Sequence, residues 1–188
     1  MPDDEAELMA AVTQGNENAF QRLLHLHVDA INRFARRMIV NSHEADDITQ
    51  ETMLRLWQQV GKFDPQRSKL TTWLHSITRN LCIDHLRRNV RLTSLDDSDH
   101  PTATTLTSHA QTPSLETDLE SLDTKNRVQI ALLALPERQR SALVLSYYQQ
   151  LSNIAVAEIL DTSLPATESL LARARRNLKT KLEETHEQ

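Results

Sequence analysis

LSNIAVAEILDTSLPATESLLARARRNLKTKL, residues 151–182, decides the fold. Ser152 is suited to cap a short helix over Asn153–Leu160, and Asp161–Thr162 form a tight turn. Ser163 then caps a longer helix from Leu164 to about Glu184. Pro165 is tolerated there because a first-turn N–H has no helical partner. Thr167, Leu170, Leu171, Ala174, Leu178 and Leu182 make an inward stripe at helical spacing. Pro165, Ser169, Ala172, Arg173 and Arg176 make the outward row. Two helices joined by a short turn, the second longer and basic at its far end, form a helix-turn-helix pattern. Small residues early in the row let a helix approach base edges, and the arginines beyond them suit phosphates.

Working outward, a helix is expected from Ser114 to near Leu135. Pro136 should then open the next helix, which runs through ERQRSALVLSYY. Upstream of these lies DDSDHPTATTLTSHAQTPSLETD, rich in Ser, Thr, Asp and Pro and without apolar periodicity. Such a stretch buries too little surface to offset its ordering entropy. It reads as a flexible acidic linker over residues 94–113, dividing the chain into helical domains at 1–93 and 114–188. Charge follows the same division. Residues 1–95 carry 12 Lys/Arg and 12 Asp/Glu, 96–125 carry one Lys against seven acids, and 126–188 carry 8 against 7.

The first half reads as four helices. Asp3 or Asp4 caps one that ends at Gly15. Asn16 to Val40 carries Phe20, Leu23, Leu24, Val28, Ile31, Phe34, Ala35, Met38 and Ile39 at helical spacing. Ser42 caps a third helix with Ala45, Ile48, Thr52, Leu56 and Val60 inward. Asp47, Gln50, Glu51 and Leu54 lie together on another of its faces, which is either a docking surface or a solvated one. A basic, turn-prone loop from Gly61 to Lys69 leads to a fourth helix over about Thr71–Arg91. There Trp73, Leu74, Ile77 and Leu81 face inward, and His75, Arg79, Ile83 and Arg87 form a row on another side. Asn80, Asp84 and Arg88 form the adjacent row, with Asp84 and Arg88 spaced for an ion pair. A basic flank beside a basic loop suits nucleic acid, and Phe63 or Trp73 could stack on an unpaired base if not packed in the core.

Composition narrows the function classes. The 188 residues have a net charge of −5 and only two glycines, Gly15 and Gly61, so no glycine-rich phosphate loop is present. One cysteine, Cys82, rules out an intramolecular disulfide or a multi-cysteine zinc site. Cys82 and His85 are at most half of a metal site, and no catalytic triad or carboxylate pair stands out. No metal and no cofactor is expected. The acidic start MPDDEAELMAA is unlike a signal peptide, and no stretch is apolar enough to span a membrane. The expected protein is all-α, made of two small helical domains, soluble and cytoplasmic.

Three segments together resemble the extracytoplasmic-function (ECF) group of bacterial sigma factors, the promoter-specificity subunits of RNA polymerase. ADDITQETMLRLW (45–57) is similar to the helix that docks on the polymerase core. TTWLHSITRNLCIDHLRR (71–88) is similar to the helix that melts and reads the −10 element. LPERQRSALVLSYYQQLSNIAVAEIL and ESLLARARRNL, within 135–178, are similar to the domain that reads the −35 element. The resemblance implies a non-catalytic initiation factor whose partners are polymerase core, promoter DNA and an anti-sigma factor. It implies core docking by Asp47, Gln50, Glu51, Leu54 and Trp57. It implies −10 contacts by Lys62, Phe63, Arg67, Lys69, Arg79, Asn80, Asp84, Arg87 and Arg88. For the −35 element it implies Pro165, Ala166, Ser169, Arg173 and Arg176.

The chain departs from the family pattern at four positions. Ala155 stands where many members have Glu, Asp161 where many have Gly, and Glu168 and Leu170 where many have basic residues. A carboxylate at 168 repels phosphate but accepts from a cytosine amine. The residues alone also admit a free-standing dimeric helix-turn-helix regulator, for which the 45–57 face would be a dimer surface or plain solvent face.

Overall fold

The computed structural model describes residues 2–95 and 117–184, with side chains over 5–89 and 124–184. Of the linker expected at 94–113, all but the first two residues lie outside the described residues. The described residues are helical, without strands. The first half comprises α1 (Pro2–Thr13), α2 (Glu17–Met38), α3 (Ser42–Gln59), a 3₁₀ turn (Val60–Lys62) and α4 (Leu70–Leu95). The second comprises α5 (Thr117–Leu133), α6 (Glu137–Leu143), a π-helical turn (Val144–Tyr148), α7 (Asn153–Ile159) and α8 (Leu164–Glu184).

Local chemistry sets the boundaries. Gly15 takes φ +82, the left-handed conformation that lets the chain turn from α1 into α2. Asn16 and Asn41 cap α2 and α3, their side chains accepting from Ala19 N and His43 N. Asn41 therefore takes the cap expected of Ser42, because an Asn carbonyl serves the role equally well one residue earlier. Asp3 and Asp4 fall inside α1, which begins at Pro2, so neither is its cap. Pro136 is the residue before α6, not its first residue. ERQRSALVLSYY is not one α-helix either: it widens at Val144, where Gln149 N bonds Val144 O, five residues back, at 3.1 Å.

Among the described residues, two apolar clusters form the core. The first joins Leu8 and Val12 of α1, Leu23 and Ile31 of α2, Met53 and Leu56 of α3, and Leu70 and Leu74 of α4. Complete burial of a leucine such as Leu23, Leu56 or Leu74 contributes about 1.5–3 kcal/mol. Thr52 Oγ1 and Thr78 Oγ1 meet 3.3 Å apart inside the α3–α4 contact. The second cluster crosses between the halves. Phe34 and Met38 of α2, Ile39 just beyond it, Ile48 of α3 and Cys82 of α4 pack with Leu132 of α5, Leu143 of α6, Val156 of α7 and Leu171 of α8.

Candidate nucleic-acid and polymerase interfaces

Helical phase separates the two sides of α3. Ala45, Ile48, Thr52, Leu56 and Val60 are all buried, as their spacing predicts. Asp47 and Gln50 are exposed on the other side and Leu54 is 48% exposed. Glu51 and Trp57 complete that face, half-buried, with Glu51 Oε1 accepting from Arg55 Nε at 2.8 Å. Trp57 packs against Phe20 of α2, ring centroids 4.8 Å apart. Leu54 and Trp57 line an open groove of about 490 Å³ between α2 and α3, with Phe20, Leu24 and Met53 as its other apolar walls. Sequence reasoning places Phe20 and Leu24 in the core stripe and does not single out Met53. The signal is the width of the α2 stripe: Phe20, Leu24 and Val28 sit at its edge and are only half-buried.

The loop before α4 is pre-shaped. Asp64 Oδ1 accepts from Gln66 N at 2.9 Å, and its carbonyl accepts from Arg67 N at 3.1 Å. This turn holds Lys62, Arg67 and Lys69 in solvent. Phe63 and Trp73 are each half-buried and pack on one another, centroids 5.4 Å apart. On α4 the row Asn80, Asp84, Arg88 and the neighbouring Arg87 are exposed. Arg88 Nε donates to the backbone carbonyl of Asp84 at 3.2 Å, instead of the ion pair that the spacing suggested.

The row of His75, Arg79, Ile83 and Arg87 corrects the sequence reading. His75 and Ile83 are buried, and only Arg87 is open. Arg79 keeps 12% side-chain exposure and its Nη2 meets Glu137 Oε1 at 3.2 Å. Burial weakens its hold on its proton, partly offset by the Glu137 charge. This side of α4 faces the second half of the chain, a packing that periodicity within one helix does not report. Cys82, on the same helix, points into the core, and burial pushes its thiol up to about 12. His85 turns elsewhere, its Nε2–H donating to Glu44 Oε2 at 2.9 Å. No group of three or more metal-ligating side chains occurs among the described residues.

The helix-turn-helix forms as its sequence predicts. Ser152 Oγ accepts from Ala155 N at 3.3 Å and Ser163 Oγ from Ala166 N at 3.4 Å. Asp161 takes φ 49, the left-handed turn conformation that Asp tolerates better than most residues. Thr167, Leu171 and Ala174 of α8 are buried against α6 and α7. Pro165, Ala166, Ser169, Ala172, Arg173 and Arg176 are all exposed along one side, with Glu168 among them. Arg175 leaves that row to donate from Nη1 to the Tyr147 hydroxyl at 3.3 Å.

The chain thus carries an acidic, apolar-edged face on α3 and a helix-turn-helix whose second helix has a run of basic residues, Arg173 to Lys181, and two known families match it. Sigma-70 region 2 matches residues 23–92, and Sigma-70 region 4 matches 125–178. The ECF RNA polymerase sigma factor SigW of Bacillus subtilis is 33% identical over 91% of this chain and 92% of its own length. This chain belongs to the ECF sigma factors. SigM of Mycobacterium tuberculosis is 33% identical over 93% of this chain and 82% of its own length. Two solved structures share the arrangement of this sigma factor. CnrH in complex with the cytosolic domain of CnrY superposes with a TM-score of 0.71, 26% identity, over 97% of this chain and 99% of that one. The sigma factor RpoE with the anti-sigma factor NepR from Bartonella quintana gives 0.69 and 26%, over 87% and 96%. Chains like these direct promoter-specific initiation by RNA polymerase, and the two sigma regions here are the two helical domains. No described helix of this sigma factor is long and apolar enough to cross a membrane.

Proposed function

We propose that this sigma factor confers promoter preference on RNA polymerase in the cytoplasm and catalyses no step itself. Its domains span residues 1–93 and 114–188, with 94–113 as the linker. The first docks on the core through Asp47, Gln50, Glu51, Leu54 and Trp57, and the apolar groove beside them receives the polymerase's side chains. The observation that carries this reading is the α3 face: two acids and a 48% exposed leucine beside an open apolar groove, on an otherwise well-packed helix. Lys62, Phe63, Arg67, Lys69, Arg79, Asn80, Asp84, Arg87 and Arg88 act at the −10 element. Phe63 and Trp73 shape the loop there, where capture of a flipped base offsets a few kcal/mol of unstacking. Pro165, Ala166, Ser169, Arg173 and Arg176 act at the −35 element. An anti-sigma factor binds the whole, as the Bartonella protein is found in complex with NepR.

The test is direct binding of the full chain to bacterial polymerase core at two salt concentrations, by fluorescence or size exclusion. Tight stoichiometric binding is expected. Replacing Asp47 and Glu51 together by Lys should weaken it by at least tenfold, with helicity unchanged. A folded chain that does not bind core overturns the proposal, and an unaffected double variant removes the α3 face from it.

A further inference from the structure

The three acids of α8 are not alike. Glu183 and Glu184 stand at its far end, and each pairs with a lysine of the same helix. Lys179 Nζ lies 3.7 Å from Glu183 Oε1, and Lys181 Nζ lies 2.8 Å from Glu184 Oε2. Glu168 opens the second turn and is exposed. It makes no hydrogen bond or ion pair with the described residues. Side chains able to pair with it along the helix stand three or four residues away. Those positions hold Leu164, Pro165, Leu171 and Ala172, none of them charged. Service to the helix dipole does not account for it either. That effect fades beyond the first turn, and the first turn of α8 holds no acid.

Its place on the helix decides what it meets. Glu168, Ala172 and Arg176 follow at four-residue intervals along one exposed line of α8. The early residues of a recognition helix point at base edges in the major groove. Glu168 stands about 12 Å along the axis from Arg176, so it lies over the bases while Arg176 holds the backbone. Ala172 between them is small enough to let the helix sit close. A carboxylate accepts hydrogen bonds and donates none. Guanine and thymine offer it only acceptors in the major groove, and adenine offers its N6 donor beside the N7 acceptor. Cytosine alone presents a donor, N4, with no acceptor of its own. Facing guanine or thymine, the carboxylate loses water and gains no hydrogen bond in return.

We propose that Glu168 is a specificity-determining residue of α8 and selects a cytosine in the major groove of the −35 element. It lowers affinity for DNA in general, being a negative charge among phosphates. Its effect is discrimination, because wrong bases are rejected more strongly than the right one is held. A wrong base at the matched position should cost at least about fivefold in affinity. The inference rests on the assignment of α8 to the −35 element and deepens it by naming the base read.

The test is selection from duplexes randomised over a promoter-length window, by the full chain assembled on bacterial polymerase core. Glu168→Gln and Glu168→Ala are selected in parallel; the position is exposed, so neither change disturbs packing. One upstream position should enrich cytosine with the parent chain. The same position should turn to adenine with Glu168→Gln, whose amide matches adenine N6 and N7. With Glu168→Ala it should show no preference, and on fixed duplexes the discrimination of cytosine from thymine there should fall at least about fivefold. Glu168→Ala should also bind unselected duplex more tightly than the parent. An upstream element enriched identically by all three chains overturns this inference alone. Parent-like base preference with weakened core binding places Glu168 on the polymerase and overturns it too. Enrichment of no upstream element overturns the −35 assignment along with it, and a folded chain that does not bind core overturns the functional reading beneath both.

Discussion

His75 sits on the side of α4 that faces the protein. Its Nδ1–H donates to Thr71 O at 2.7 Å, its ring meets Phe34 edge-on at 5.6 Å, and its Nε2 is buried. Burial holds its pKa below the ordinary value of 6.5, partly offset by hydrogen bonding to Thr71 and Gln149, and the neighbouring His27 lowers it a little further. The folded chain therefore resists a proton that the unfolded chain accepts below pH 6.5. Stability should be full above that value and fall as the pH drops beneath it, by at most about 1.4 kcal/mol per pH unit. Denaturant melts between pH 8 and 5.5 should show this limb, flattened in His75→Gln, which keeps a donor for Thr71 O but cannot titrate. Cys82 illustrates the other effect of burial. A thiol pushed up to about 12 carries almost no thiolate at neutral pH, so it is packing and not redox chemistry that occupies this residue.

At the scale of elements, α7 and α8 were legible because everything that shapes them is local. Ser152, Asp161 and Ser163 act within three residues of themselves, and α8 packs chiefly on α6 and α7, close by in the chain. The outward row is then fixed by helical phase, which gives it a direct electrostatic test. If Arg173 and Arg176 hold phosphates, each Arg→Ala change should weaken −35 binding for all sequences alike. The slope of log affinity against log salt should fall by about one per lost contact. A variant with the parent slope places its arginine off the backbone. The helix α4 was legible only in part. Its periodicity separates faces into rows, yet Arg79 in one of those rows is covered by Glu137, 58 residues further along the chain. No spacing within α4 encodes that. The differences at boundaries are smaller and have local causes: Asn41 caps α3 one residue before Ser42, and the chain widens at Val144 within a run that reads as plain helix.

The whole molecule was least legible, because the chain between its halves carries no packing signal while the halves themselves share a core. Phe34, Met38 and Cys82 from one side and Leu132, Leu143 and Val156 from the other belong to one cluster. Arg140 reaches across to Met38 O, and its residue is only 7% exposed. Domains joined only by a linker would melt separately. With a shared core the full chain should melt in one cooperative transition, with calorimetric and van't Hoff enthalpies equal. Two resolved transitions would show that the halves are thermodynamically independent. The cluster around Leu23, Leu56 and Leu74, by contrast, belongs wholly to the first domain.

The π-helical turn at Val144–Tyr148 limits how this sequence can change. Such a turn holds one residue more than an α-helix accommodates. The surplus places Tyr147 beside Arg175 of its own domain and Tyr148 under Arg37 of the other. The turn already absorbs one surplus residue, so a second one inserted beside Ser146 would swing the downstream residues by about 100°. Both tyrosines would then point away from their arginines at once. Point substitutions in this segment can be absorbed by neighbouring side chains, but a further residue cannot, so lengthening is the change it tolerates least.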